Sequence, residues 1–207
     1  CVMEALGLAL AGNGTIPAVY SERIRLAKDA GRQIMYLLEK GILPKDIVTA
    51  QAIENAVAVD MALGGSTNTC LHIPAIAKAA GLDLPLEELD RISRKTPHLC
   101  SMSPGGKYFI SDLYEAGGIP AVMSRLAERG LIHPEAITVT GKTVGENIKN
   151  VKVKDDDVIR SLQAPVHAEG GIAILKGNLA PLGSVVKQGA VLPEMMNHKG
   201  PARVYEN

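Results

Sequence analysis

Two glycines followed by three small polar side chains, Gly64-Gly65-Ser66-Thr67-Asn68, form the stretch of this 207-residue sequence best suited to hold a small molecule. Glycines ahead of a helix let a ligand approach the backbone, and the free N–H groups of a helix start favour an anion such as a carboxylate. The plainer reading of the same residues is a helix–turn–helix junction with Ser66 as cap. Gly12-Asn13-Gly14-Thr15 follows a helical rhythm in the same way, and taken alone it is a helix stop and a turn. Asn13, Ser66, Thr67 and Asn68 are therefore the candidate pocket-lining residues, and binding rather than bond-breaking is the chemistry they could do. Gly141-Lys142-Thr143 invites a phosphate-loop reading, which would make the chain a non-catalytic nucleotide-binding or interaction domain. That motif needs a glycine five positions before its second one, where this sequence has Ala136. A capping box, Thr143-Val144-Gly145-Glu146, accounts for the same residues.

No group of residues declares a metal or a catalytic centre. Cys1, Cys70 and Cys100 are the only cysteines; they are far apart, odd in number and form no C-x-x-C pair. Neither a disulfide framework nor a zinc site follows from them, and a reducing, cytoplasmic setting fits best. His72, His98, His133, His167 and His198 show no ligand spacing and read mostly as surface or capping residues. Asp155-Asp156-Asp157 lacks the alternation and glycine of a calcium loop, and reads as a solvated turn. There is no Ser-His-Asp arrangement, H-E-x-x-H or G-x-G-x-x-G, so no catalytic residue and no metal ligand is assigned.

Composition sets the frame for these residues. Hydrophobic residues make up 46% and charged residues 21%, the balance of a globular chain with a real core. Aromatics are scarce at 3%, with no Trp and one Phe, so the core is built from Ala, Leu, Ile, Val and Met and offers few platforms for stacking bases. Lysine plus arginine equals aspartate plus glutamate, 22 each, so no global field draws in nucleic acid or an anionic membrane. No apolar run approaches the ~20 residues a membrane span requires.

The elements that must position the candidates follow from periodicity and punctuation. Residues 1–11 read as a helix stopped at Gly12-Asn13-Gly14. Ser21 to Lys40 carries apolar residues at helical spacing, with Gly41 where a cap belongs. A helix from about Thr49 to Leu63 halts at Gly64-Gly65; the next holds Leu71, Ile73, Ile76 and Ala79 and ends at Gly81. Pro85 and Pro120 open two more, the second closed by Gly130. Ala136 to Thr140 reads as a strand, followed by a helix through Ile148. After about Val151 helical rhythm gives way to short Gly- and Pro-punctuated apolar runs, Gly171 to Leu175, Ser184 to Lys187 and Ala202 to Tyr205, the texture of β structure. A domain boundary is placed near residue 150, dividing 1–150 from 151–207, with a charged linker from Lys152 to Asp157. Both ends read as cuts through a longer protein, since Cys1 enters already in a helical rhythm and Val204-Tyr205 begins a strand-like run.

Several stretches, in order, resemble one enzyme family. They are Met3-Glu4-Ala5-Leu6-Gly7 with Gly12-Asn13-Gly14-Thr15-Ile16-Pro17, then Ala56 to Asn68, Ala116 to Val122, Thr138 to Thr143, Gly170 to Pro181 and Gly200 to Val204. The set is similar to the dihydroxy-acid and sugar-acid dehydratases and covers essentially the whole chain. Ala11 departs from the proline usual before Gly-Asn-Gly, which affects the local turn. Leu179-Ala180-Pro181 and Pro193-Glu194-Met195-Met196 resemble the branched-chain dihydroxy-acid members more than the sugar-acid or 6-phosphogluconate cousins.

The resemblance implies an α/β fold: a helix-rich second half of a catalytic domain, followed by the start of a β-rich, barrel-like C-terminal domain. It also implies dehydration of 2,3-dihydroxy-3-methyl carboxylic acids to 2-oxo acids in valine and isoleucine synthesis, with an iron–sulfur cluster and Mg2+ as cofactors and a homodimer or higher oligomer as the assembly. No cluster, magnesium or base residue of the family maps onto this sequence. Those groups are expected to lie before Cys1 and after Asn207, leaving the 207 residues as scaffold.

Overall fold

The computed structural model describes residues 1–205. Its helices are α1 (Val2–Ala5), α2 (Ser21–Lys40), α3 (Pro44–Ile47), α4 (Ala50–Ala62), α5 (Thr69–Ala79), α6 (Leu86–Lys95), α7 (Ile110–Glu115), α8 (Gly118–Ala127) and α9 (Val144–Ile148), followed by strands β1 (Ile172–Gly177) and β2 (Ala180–Lys187).

Helix α4 is the hub because past Glu54 its sequence is almost wholly apolar or small, and such a helix must be surrounded. Ala52, Ile53 and every residue from Asn55 to Ala62 are buried, and α1, α5, α6 and α8 all pack on it. Thr49 caps it, its hydroxyl accepting the Ala52 N–H at 3.2 Å, an arrangement that contributes about 1 kcal/mol. Leu89 and Ile92 of α6, Leu113 of α7 and Ile119, Val122 and Leu126 of α8 complete the core, with Leu99 and Ile159 from the connections. Helix α2 is different: only Leu37 is buried along its twenty residues, and Gly41, with φ 66°, ends it in the left-handed region.

The β pair is fastened to this hub rather than standing apart. Strands β1 and β2 are antiparallel, with Ile172 opposite Lys187 and Ile174 opposite Val185. Ile172 and Ile174 turn their apolar side chains into the core, and the Ser93 hydroxyl of α6 donates to the Ile172 carbonyl at 2.5 Å. The Gly171 N–H reaches the Met61 carbonyl of α4 at 3.1 Å. The architecture is mixed α/β as expected, helix-rich with a small sheet at its C-terminal end.

Four local expectations are corrected. Helix α1 ends at Ala5 instead of running to residue 11, because Gly7 (φ 87°) turns the chain and presents its carbonyl to the Val139 N–H at 2.8 Å. Residues 136–140 form no strand: Gly141 (φ 75°) reverses the chain at once, leaving a single antiparallel bridge between Ile137 and Thr143. Helix α8 starts at Gly118 rather than Pro120, since Gly117 and Gly118 both take positive φ and make the turn themselves. Ala202 to Tyr205 is not strand, having no partner strand beside it among the described residues. Helices α3 and α7 were not foreseen; an acidic residue starts each, Asp46 accepting the Leu43 N–H and Asp112 the Phe109 N–H.

Candidate functional site

The turn between α4 and α5 is organised by a carboxylate buried beneath it. Asp60, in the last turn of α4, is 6% exposed. Its carboxylate accepts the Thr69 hydroxyl at 2.6 Å and the Ser66 N–H. Burial pushes its pKa up to about 6, against the opposing pull of those two donors and of the Lys187 charge. The same Thr69 hydroxyl lies within hydrogen-bonding reach of the Ser66 carbonyl, so the loop closes on itself over Asp60. Gly64 and Gly65 take φ values of 91° and 66°, a region that favours glycine. Both are also short of space: a Cβ on Gly64 would sit 2.8 Å from His98 Nε2, and one on Gly65 would overlap Ile172.

His98 roofs this turn. Its Nε2 lies 2.9 Å from the Cys100 carbonyl, which can only accept, so Nε2 carries the proton and Nδ1 is left without a partner. Burial lowers its pKa, opposed by that carbonyl bond. The ring stacks on His167 at 5.3 Å between centroids, and the His98 N–H donates to the His167 carbonyl at 3.0 Å. His98 is thus a buried exception among the histidines, of which His72, His167 and His198 are exposed as expected. His133 also departs from that expectation, with Nε2 2.9 Å from Glu54 and Nδ1 3.4 Å from Glu135.

Ser66, Thr67 and Asn68 come together at the start of α5, with Thr67 and Asn68 exposed and Ser66 half-buried. The N-cap of α5 is Asn68, which makes no side-chain cap bond. Ser66 serves the turn instead, its hydroxyl accepting the Asn68 N–H at 3.3 Å. Two amides of this first turn are already used, the Thr69 N–H by the Ser66 carbonyl and the Leu71 N–H by the Asn68 carbonyl, each at 3.0 Å, so the turn offers a ligand chiefly its two exposed polar side chains.

Asn13 lies in a second turn of similar construction. Glu4 is buried beneath it, accepting the Gly12 N–H at 2.8 Å and the Gly14 N–H at 2.5 Å. Burial raises the Glu4 pKa, opposed by those two amides. Asn13 is exposed, its carbonyl accepts Arg23 at 2.7 Å, and it lines a cleft of about 310 Å³ against Leu26, Ala30 and Ile34 of α2. No hydrogen bond links this turn to Ser66–Asn68 among the described residues. Asp60 and Glu4 are the residues sequence reasoning missed. The signal was a lone charged residue inside each apolar run, Val57-Ala58-Val59-Asp60-Met61-Ala62 and Val2-Met3-Glu4-Ala5-Leu6.

The remaining motifs are structural. A Cβ on Gly141 would lie 2.6 Å from the Tyr36 hydroxyl, so the Tyr36 ring occupies the space a phosphate would need. Thr143 instead caps α9, its hydroxyl taking the Glu146 N–H at 3.2 Å while Glu146 takes the Thr143 N–H at 2.8 Å. Asp155 closes its own turn by accepting the Asp157 N–H at 2.8 Å. Burial pushes the thiols of Cys70 and Cys100 up to about 11 and about 12, which keeps them protonated. No group of three or more His, Cys, Asp or Glu among the described residues could hold a metal ion. Nor is any helix among them long and apolar enough to cross a membrane.

Comparison with known proteins gives this scaffold its context. Residues 1–147 match the family model described as dihydroxy-acid/6-phosphogluconate dehydratase N-terminal, and residues 157–207 match the corresponding C-terminal model. The chain is 61% identical over 206 residues to the dihydroxy-acid dehydratase of Halothermothrix orenii. It is 59% identical to that of Caldanaerobacter subterraneus subsp. tengcongensis and 58% to that of Acetivibrio thermocellus, each over 207 residues. In all three cases the whole chain is covered, and it spans 37% of the relative's length. By both family models and by this identity, the chain belongs to the dihydroxy-acid/6-phosphogluconate dehydratase family.

Proposed function

We propose that the complete protein is a hydro-lyase that dehydrates a branched 2,3-dihydroxy-3-methyl carboxylate to the 2-oxo acid, the step required in valine and isoleucine synthesis. The observation that carries this reading is identity of about 60% to dihydroxy-acid dehydratases over the full chain. The reading brings an iron–sulfur cluster and Mg2+ with it. The cysteines here are buried and protonated or isolated, and do not fit as ligands. No step is therefore derived through those groups, whose ligands belong to parts of the family fold outside these 207 residues.

What this chain supplies is position. Residues 1–150 form part of the catalytic domain and 151–207 begin the C-terminal barrel-like domain. Ser66, Thr67 and Asn68 offer hydroxyl and amide donors to polar oxygens of the substrate, and Asn13 is a further candidate on its own cleft against α2. Asp60 and Glu4 are positioning residues that hold those turns closed. The protein works in the cytoplasm as a homodimer or higher oligomer, without nucleic acid or membrane.

The test is kinetic. The complete protein should turn over the branched dihydroxy acid with kcat/KM at least tenfold above that for gluconate-type acids; the reverse order would make it a sugar-acid or phosphogluconate dehydratase. Thr67→Val in the complete protein should lower kcat/KM, and unchanged efficiency would remove Thr67 from the pocket.

A further inference from the structure

We propose that a small oxyanion, a carboxylate or phosphate group, binds in the cavity at the start of α8, on Thr15, Lys154 and the first amides of the helix. The site is independent of the dehydratase reading. The cavity, of about 290 Å³, is lined by Thr15, Gly117, Gly118 and Lys154 together with Tyr114 and Glu115.

Three observations converge there. Helix α8 is ten residues long and begins with no side-chain cap. The N–H groups of Gly118 and Ile119 meet no acceptor among the described residues, although both residues are buried. Thr15 is 1% exposed and its hydroxyl has no hydrogen-bond partner. That hydroxyl faces the first residue of α8, for a Cβ on Gly118 would lie 3.2 Å from Thr15 Oγ1. Buried donors left open in this way normally find a partner, and of the residues that carry these open groups Gly118 and Thr15 both line the cavity.

The charges favour an anion. The helix start contributes roughly half a positive charge, and Lys154, tied to the rim by its N–H to the Ala116 carbonyl at 3.0 Å, adds an ammonium. Exposed Glu115 offsets part of this, which favours a small, weakly charged oxyanion over a polyanion. Glycine at positions 117 and 118 keeps the approach to the amides free of side chains.

Amide NMR of the 15N-labelled chain, titrated separately with inorganic phosphate and with acetate at constant ionic strength, tests the proposal. Saturable shifts at Gly118 and Ile119 are expected with at least one anion, and the tighter of the two identifies the class. Thr15→Val, which keeps the side-chain shape, and Lys154→Gln should each weaken that binding at least about fivefold. Thr15→Val should also leave the melting temperature unreduced, since the hydroxyl it removes has no partner. Absence of saturable shifts with both anions would overturn the proposal. So would weakening by Lys154→Gln alone, which would indicate nonspecific screening.

Discussion

Replacing Asp60 by Asn isolates the energy stored under the α4–α5 turn. Asp60 is held at a pKa of about 6, against an ordinary value of 3.8, and burial is the main cause. The folded protein thus binds this proton more tightly than the unfolded chain does. Its contribution to stability is fully present below about pH 4 and is lost as pH rises through 6. At 1.36 kcal/mol per tenfold change in proton affinity, the rise from 3.8 to about 6 makes the ionised carboxylate cost about 3 kcal/mol at neutral pH. Asn is neutral at every pH and can keep the local bonds, its oxygen accepting the Ser66 N–H and its amide donating to Thr69 Oγ1. Thermal and urea unfolding from pH 4 to 7.5 should show Asp60→Asn more stable than wild type at pH 7.5 by up to about 3 kcal/mol. For a chain of this size that is roughly 6–12 °C. The difference should shrink toward zero near pH 4. An Asn variant no more stable at pH 7.5, or a gap that does not change with pH, would refute the reasoning.

Other perturbations follow from the same packing. Gly65→Ala combines a left-handed backbone with overlap on Ile172 and should cost about 2–4 kcal/mol in urea unfolding; adding Ile172→Ala should cost less than the sum, because the overlap is relieved. Thr49→Ala removes the α4 cap and should cost about 1 kcal/mol. Burial raises the Glu54 pKa, but bonds from Lys95, His133 and Arg91 outweigh it and hold the group at about 2. Its stabilisation is therefore present above pH 4.5 and lost as pH falls toward 2, and Glu54→Gln should destabilise at pH 7 by about 1–2 kcal/mol, with the loss fading in acid.

The sequence made some parts of this molecule legible because local chemistry decides them. Helices α2, α4, α5 and α6 were readable from Thr49, Pro85 and the stops at Gly41, Gly64 and Gly81, where cap and backbone rules act within a few residues. The capping box at Thr143 was legible for the same reason. Residues 136–140 were misread because their β-type side chains form no ladder once Gly141 turns the chain against Tyr36. The pairing that was found, Ile172 with Lys187, needed a hairpin at Asn178 and a helix face to bury against. Ser66 looked like a cap and serves the turn before the helix. Glu4 and Asp60 were passed over because a buried carboxylate shows its purpose only through partners eight to ten residues away, at Gly12, Gly14 and Thr69. His98 and His167, far apart in sequence, meet only because the segment before β1 folds back over Gly64.

The most direct test of the account assays the complete protein and the 207-residue chain side by side. Each is reconstituted with iron, sulfide and Mg2+ and supplied with 2,3-dihydroxy-3-methylbutanoate, and 2-oxo acid is measured. The complete protein should be coloured and active, and the chain alone colourless and without product. Turnover by these 207 residues alone, or a complete protein with no dehydratase activity on this acid, would contradict this expectation.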